Sequence, residues 1–262
     1  MEIFLQEFNE AQDVSMLFIH GGGLSGWMWD KQIKALNDFH CLVPDLPGHG
    51  KSRELQIFSI KECAQLMAAL IKSKGHHGKA HVVGHSIGAQ ILLQLLADSP
   101  EVVHTGVVHS ALVRSLWGVS SLIKPTVKLT LPLTRKKWFA KLQAQTLSIP
   151  AEYFPRYYEE SKSISAETLA GLLRENAAFK LLEGLENNPV PTLVLVGEKE
   201  RGVMIRSAQD LVSFLPHAEG YIVQGAGHGF NFEDPVLYNE ILQAWLAESR
   251  LPTGSLKRIL KP

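Results

Sequence analysis

Ser86 is the residue around which chemistry could be built. It lies in Gly84-His85-Ser86-Ile87-Gly88, a G-x-S-x-G pattern. An apolar run precedes it, and Ile87, Ile91, Leu92, Leu95 and Leu96 follow at helical spacing. This predicts a strand that turns sharply into a helix with the serine at the tip. The turn strains the serine backbone and leaves no room for side chains two residues to either side, hence the two glycines. The hydroxyl is then held at a helix N-terminus, where free N–H groups and the helix dipole stabilise developing negative charge.

A serine hydroxyl is a poor nucleophile at neutral pH and needs a base within reach. That base is usually a histidine, held in one tautomer by a carboxylate. Of eleven histidines, His228 fits best, in the glycine-flanked stretch Gly225-Ala226-Gly227-His228-Gly229 after the last apolar run. The carboxylate should lie between serine and histidine in chain order, on another strand-end loop. Glu198, Glu200 and Asp210 compete. Asp210 falls inside a helix. Glu198 stands directly at the strand end, where it either points at the sheet edge or caps the turn. Glu200, at the apex of the loop, is the choice. Its extra methylene relative to aspartate requires a loop set slightly back. The oxyanion donors expected are the N–H of Ile87 and one N–H from His20-Gly21-Gly22-Gly23, for which Gly22 is chosen. The competing reading makes those glycines only a turn.

These side chains need a scaffold that brings strand ends together. Met16–Ile19, Cys41–Pro44, His81–Val83, a strand within Val102–Leu112 centred on Gly106–Val108, Pro191–Gly197 and Tyr221–Val223 read as strands, with a further short strand within residues 1–12. Helices alternate with them: Trp27 to Leu36, Ser59 to Lys72 with Ser59 as N-cap, the elbow helix up to Ser99-Pro100, Ser207 to Leu215, and Val236 to Ser249. Alternation of this kind implies right-handed crossovers and a parallel sheet, so all loops after strands emerge at one rim. Residues 1–112 and 189–250 are read as the α/β core and 251–262 as a frayed tail. Between them, 113–188 has no clear strand, and Pro125, Pro132, Pro150 and Pro155 cut it into short pieces. It is read as a helical lid. Its apolar residues, from Trp117 through Leu129 and Trp138 to Tyr158, either roof a pocket or pack the lid onto the body. Trp27 and its neighbours either line a pocket mouth or simply start a helix.

Other residues invite chemistry that the pattern disfavours. Asp45 and His49, in the turn-rich Asp45-Leu46-Pro47-Gly48-His49-Gly50, read as a rigid loop with Asp45 bonded to backbone N–H groups. His76 and His77 lack a third ligand nearby, so a solvated turn outweighs a metal site. The run Arg135-Lys136-Lys137 reads as a solvated helix face. Leu129, Leu131 and Leu133 beside it would suit an interfacial helix, against which Pro132 argues.

The bulk composition narrows the function classes. The chain has 262 residues, enough for a sizeable core, and 26 basic against 26 acidic side chains. Zero formal charge gives no reason to expect a nucleic-acid partner. Cys41 and Cys63, both in apolar settings, read as reduced thiols and favour a cytoplasmic location. No apolar run reaches a membrane span, and the start of the chain does not read as a signal peptide, so a membrane partner is not expected.

As a set, Ile19-His20-Gly21-Gly22, Asp45 to Ser52, Gly84 to Gly88, Gly197-Glu198-Lys199-Glu200 and Gly225 to His228 resemble the α/β-hydrolase superfamily over residues 14–249. The branch resembled carries a helical cap inserted after the strand that follows the elbow helix. The resemblance implies an oxyanion N–H from the residue after the first His-Gly, which is Gly22, and a triad acid at Glu200. The family usually has aspartate there, and Glu200 departs from it. The short N-terminus is a second departure, leaving room for one leading strand. The serine sets the chain apart from dehalogenase and epoxide-hydrolase relatives, which use aspartate.

The function expected is a serine hydrolase, carboxylesterase-like, cleaving an ester of a small to medium apolar acyl group through an acyl-enzyme. Hydrolysis of a C–C, thioester or lactone bond would use the same parts. A non-catalytic binder of small apolar ligands is the alternative from a different class. No cofactor or metal is implied, and the sequence leaves the oligomeric state open.

Overall fold

A computed structural model describes residues 3–55, 58–116, 118 and 120–261. Trp117, named above in the lid, lies outside the described residues, as do residues 1, 2, 56, 57, 119 and 262 of the ranges given there. The strands are β1 (Leu5–Phe8), β2 (Ser15–Ile19), β3 (His40–Pro44), β4 (Ala80–His85), β5 (Val103–His109), β6 (Thr192–Gly197), β7 (Ala218–Val223) and β8 (Leu256–Ile259). They form one sheet in the order β1-β3-β2-β4-β5-β6-β7-β8. Strands β2 to β7 run parallel, while β1 and β8 are antiparallel at the two edges. The helices are α1 (Asp30–Ala35), α2 (Ile60–Lys74), α3 (Ile87–Asp98), α4 (Ser120–Thr134), α5 (Lys137–Thr146), α6 (Phe154–Ser163), α7 (Ala166–Ala178), α8 (Gly202–Phe214), α9 (Phe230–Glu233) and α10 (Pro235–Leu246). This is the expected α/β architecture.

The alternation of side chains along each strand explains the continuous apolar runs. Leu17 and Ile19 pack with residues of α2, α3 and α8 on one face. Met16 and Phe18 point the other way, against Trp29, Ile33 and the Tyr238, Ile241 and Leu242 side of α10. A parallel sheet covered on both faces has no polar face to show. Ser59 caps α2 as its sequence suggests, accepting the Glu62 N–H at 3.4 Å.

Two stretches depart from expectation. The tail does not simply fray beyond Pro252. Leu256–Ile259 pairs antiparallel with β7, from Leu256 opposite Val223 to Ile259 opposite Gly220. Ile259 is buried and drives the docking. A four-residue strand with two basic side chains gives too weak a pattern to read in sequence. The second departure is α4, which runs unbroken through Pro125 and Pro132. Both prolines are exposed. On the solvent side of a helix, carbonyls that lose an i+4 partner tilt out and bond to water. Pro155 instead sits in the first turn of α6, where its missing N–H costs nothing.

Because β2 to β7 are parallel, their C-terminal ends form one rim. Ile19 pairs with Gly84, His85 with His109, His109 with Leu195 and Gly197 with Val223. Helices α4 to α7 fill the interval between β5 and β6.

Candidate active site

Ser86 sits at the rim with φ 55° and ψ −114°. This left-handed conformation costs a residue with a side chain about 1–3 kcal/mol and survives only where its surroundings enforce it. Those surroundings are tight. A Cβ on Gly84 would lie 2.4 Å from the Gly88 carbonyl oxygen, and one on Gly88 would lie 2.3 Å from that of Ile19. The Ser86 N–H donates to the His109 carbonyl at 2.8 Å, fixing the elbow to β5. Gly88→Ala is expected to lower stability by about 3 kcal/mol or more, because backbone atoms cannot yield as side chains do. An unchanged urea midpoint would contradict this packing.

Three elements meet around the serine. The Gly21–Gly23 loop follows β2, and a Cβ on Gly21 would lie 2.7 Å from His85 Nδ1. Gly22, Gly23, Ser86 and Ile87 line one cavity of about 260 Å³. The N–H groups of Gly22 and Ile87 donate to no protein acceptor among the described residues. Nor does the Ser86 hydroxyl make a protein hydrogen bond among them. Catalytic hydrogen bonds commonly tighten only when substrate is bound.

His228 and Glu200 are brought together directly. His228 Nδ1 lies 2.7 Å from Glu200 Oε2. The carboxylate is buried and the imidazole about a quarter exposed. Glu200 also accepts the Ser110 hydroxyl at 2.5 Å and the Gly197 N–H at 3.0 Å. Burial pushes its pKa up, but His228, Ser110 and the Gly197 N–H together outweigh it and hold the carboxyl below its ordinary value. A carboxylate with its lone pairs so occupied holds the imidazole in one tautomer, Nδ1–H inward and Nε2 free.

The competing acids go elsewhere. Glu198 accepts the Gly225 N–H at 2.8 Å, so it caps the histidine loop. Asp210 pairs with Arg114 at 2.5 and 2.7 Å. Asp45 accepts the N–H groups of Gly26 at 2.9 Å and Lys51 at 2.8 Å, the structural role read for it. His49 donates Nδ1–H to the Pro47 carbonyl and lines the cavity. Trp27 lies buried in a short 3₁₀ turn leading into α1, stacked on Tyr153 and donating to Glu160 at 2.9 Å.

Sequence reasoning did not single out three supporting groups. His85 Nε2–H donates to the His228 carbonyl at 2.9 Å, with the two rings 4.8 Å apart. That bond ties the elbow to the histidine loop. Glu233 accepts the Gly227 N–H at 2.7 Å and the Ser148 hydroxyl, so it fastens the same loop to the segment after α5. Ser110, with φ 59°, holds Glu200 from across the rim. The one local signal for Ser110 is a polar residue directly ending an apolar strand.

The cavity is mostly apolar. Leu24, Ile87, Leu147, Ile164, Leu169 and Leu172 contribute to its wall. Of the aromatic residues between β5 and β6, Tyr157 reaches it, while Trp138 faces solvent. Glu160 stands at its polar end, where burial raises its pKa against the pull of bonds from Ser25 and Trp27.

Comparison with known proteins agrees with this architecture. An AB hydrolase superfamily protein of Gibberella zeae is 28% identical, covering 96% of this chain and 86% of its own length. The (E)-2-((N-methylformamido)methylene)succinate hydrolase of Acinetobacter baylyi is 22% identical, covering 91% of this chain and 92% of its own. Among solved structures, an esterase from Exiguobacterium antarcticum superposes with a TM-score of 0.79 at 16% identity, over 94% of this chain and 95% of that one. The model described as Alpha/beta hydrolase family matches residues 16–241, from the first parallel strand into the last helix, and the chain belongs to that family.

Proposed function

We propose that this protein is a serine hydrolase that cleaves esters of small to medium apolar acids through an acyl-enzyme. The observation that carries it is the strained Ser86 lining an apolar cavity of about 260 Å³ together with two unbonded N–H groups. In this reading Ser86 Oγ attacks the ester carbonyl, and His228 Nε2 takes its proton. Glu200 accepts His228 Nδ1–H and stabilises the imidazolium. The N–H groups of Gly22 and Ile87 bind the oxyanion. His228 returns the proton to the leaving alcohol, leaving the acyl group on Ser86. A water molecule, deprotonated by His228, then attacks that ester, and His228 passes the proton to Ser86 Oγ as the acyl–oxygen bond breaks and the acid is freed. Helices α4 to α7 act as a lid whose inner residues form the acyl wall.

A cavity of this size accepts short acyl chains more readily than long ones. Hydrolysis of p-nitrophenyl esters is therefore expected to peak at short to medium acyl length. Thioester, lactone and carbamate probes in the same panel are expected to turn over more slowly. A fluorophosphonate should label Ser86 rapidly. Labelling without ester turnover would transfer the assignment to another acyl bond. No labelling would mean a silent site that binds ligand without turnover.

A further inference from the structure

The outer surface of α4 and α5 differs from the rest of the molecule. Between Glu101 and Glu152 the sequence holds no acidic residue, although the whole chain is balanced. On α4, Leu122, Pro125, Leu129 and Pro132 recur every three or four residues and are all exposed. They form one stripe facing solvent. Trp138 and Leu142 repeat the pattern on α5. Leu129 is 71% exposed, Trp138 63%, Leu122 59% and Leu142 54%. Val14, Leu66, Leu116, Val236 and Leu260, the other exposed large apolar side chains among the described residues, are scattered along the sequence and form no such periodic stripe. Lys124, Lys128, Arg135, Lys136, Lys137 and Lys141 surround the stripes and are exposed. None of these six forms an ion pair among the described residues. Glu167 shares a groove with Lys124 and Lys128, where Arg174 offsets it.

We propose that this face docks on an anionic phospholipid surface. Exposed Leu and Trp ringed by Lys and Arg suit the boundary between headgroups and acyl chains. A phosphate backbone of nucleic acid offers the cations a partner but gives the Leu–Trp stripe none. A second copy of the chain would set this basic face against itself or against a surface of balanced charge. The objection that Pro132 interrupts the run falls away, since α4 continues through it with both prolines in the outward stripe. The same helices turn Thr134 and Gln143 toward the Ser86 cavity, so the docked face lies on the far side of the cavity wall. The proposal does not depend on which bond the site cleaves.

The test is flotation of the full chain with vesicles of phosphatidylserine and phosphatidylcholine, against phosphatidylcholine alone. Binding is expected to the mixed vesicles, at least tenfold weaker to the neutral ones, and weakened by salt. Each basic residue at an anionic surface contributes about a factor of five, so Lys128→Gln with Lys141→Gln should weaken binding about 25-fold. Leu129→Gln with Trp138→Gln should weaken it at least about tenfold through lost apolar insertion. All four side chains are exposed, so urea midpoints should stay at the wild-type value. Absence of binding to mixed vesicles overturns the proposal. So does binding that survives the Leu129 and Trp138 changes, which would indicate a general polyanion site, as DNA binding of the same strength would. A concentration-dependent dimer in light scattering, lost in the Leu129 and Trp138 variant, would make the face a self-contact and also overturn it.

Discussion

Ser86→Ala is expected to reduce ester hydrolysis about a millionfold, with the urea midpoint kept or raised. Removing the nucleophile from such a constellation costs about that much, and the surviving rate comes from binding and the oxyanion donors. Alanine also loses nothing in packing, because the Ser86 hydroxyl holds no protein partner among the described residues. The acid separates a triad from a coincidence. Glu200→Gln keeps the shape but offers an amide to His228 Nδ1, which favours the wrong tautomer. A loss of about ten-thousandfold in kcat is expected. Glu200→Asp shortens the reach by one methylene. The carboxylate can no longer bond His228, Ser110 and the Gly197 N–H together. A misplacement of that size is expected to cost about a hundredfold. If Glu200→Gln kept wild-type kcat, His228 would not be working as a base oriented by Glu200.

The second large effect is on stability. His20, His49, His85 and His109 are all buried in the neutral form. Burial lowers His20 to about 4, and His49 and His85 to about 3. His109 is driven well below its ordinary value, by burial first and then by His85 and His228. An unfolded histidine titrates near 6.5. Between pH 6.5 and about 4 the unfolded chain therefore binds protons that the folded chain refuses. Stability is full above pH 6.5 and falls as pH drops through that window, by about 2 kcal/mol per histidine at pH 5. Glu200 adds to the fall at lower pH, since its depressed pKa means a stabilising charge lost on protonation. The urea midpoint should be flat from pH 7 to 8.5 and drop steeply toward pH 5. His109→Phe isolates one contributor. Both His109 ring nitrogens lack protein partners among the described residues, and its ring neighbours are His85, Phe230 and Tyr238. The variant should match the parent at pH 8 and exceed it at pH 5. Parallel curves for the two proteins would contradict this account.

The parts legible in sequence share one property: each is set by local spacing. The two glycines around Ser86 announce the turn because the clash between Gly84 and the Gly88 carbonyl lies within one strand–turn–helix unit, while the Ile19 carbonyl, from β2, adds a contact that local spacing does not show. Glu200 and His228 were readable as strand-end residues, since the parallel sheet sends every such loop to one rim. What sequence did not reveal depends on residues far apart in the chain. Ser110 meets Glu200 only because β5 and β6 are neighbours despite the long insertion between them. The His85 bond to the His228 carbonyl spans a still longer gap. The prolines of α4 misled for a different reason. A proline within a helix removes one backbone hydrogen bond and crowds the carbonyl four residues before it, which is a cost and not a prohibition, and on the exposed side of α4 the freed carbonyls can turn to water.

The pairing of Leu256–Ile259 with β7 bears on how the protein tolerates shortening at its end. Without this strand, β7 would present a row of unpaired N–H and C=O groups. That is a ready template for another molecule's backbone and hence for aggregation. With it, the outermost position falls to a short strand whose Lys257 and Arg258 are exposed, and charge there discourages further addition. A chain cut at Arg250 should keep Ser86, His228 and Glu200 in place yet precipitate on concentration, and its losses in handling would be colloidal rather than catalytic.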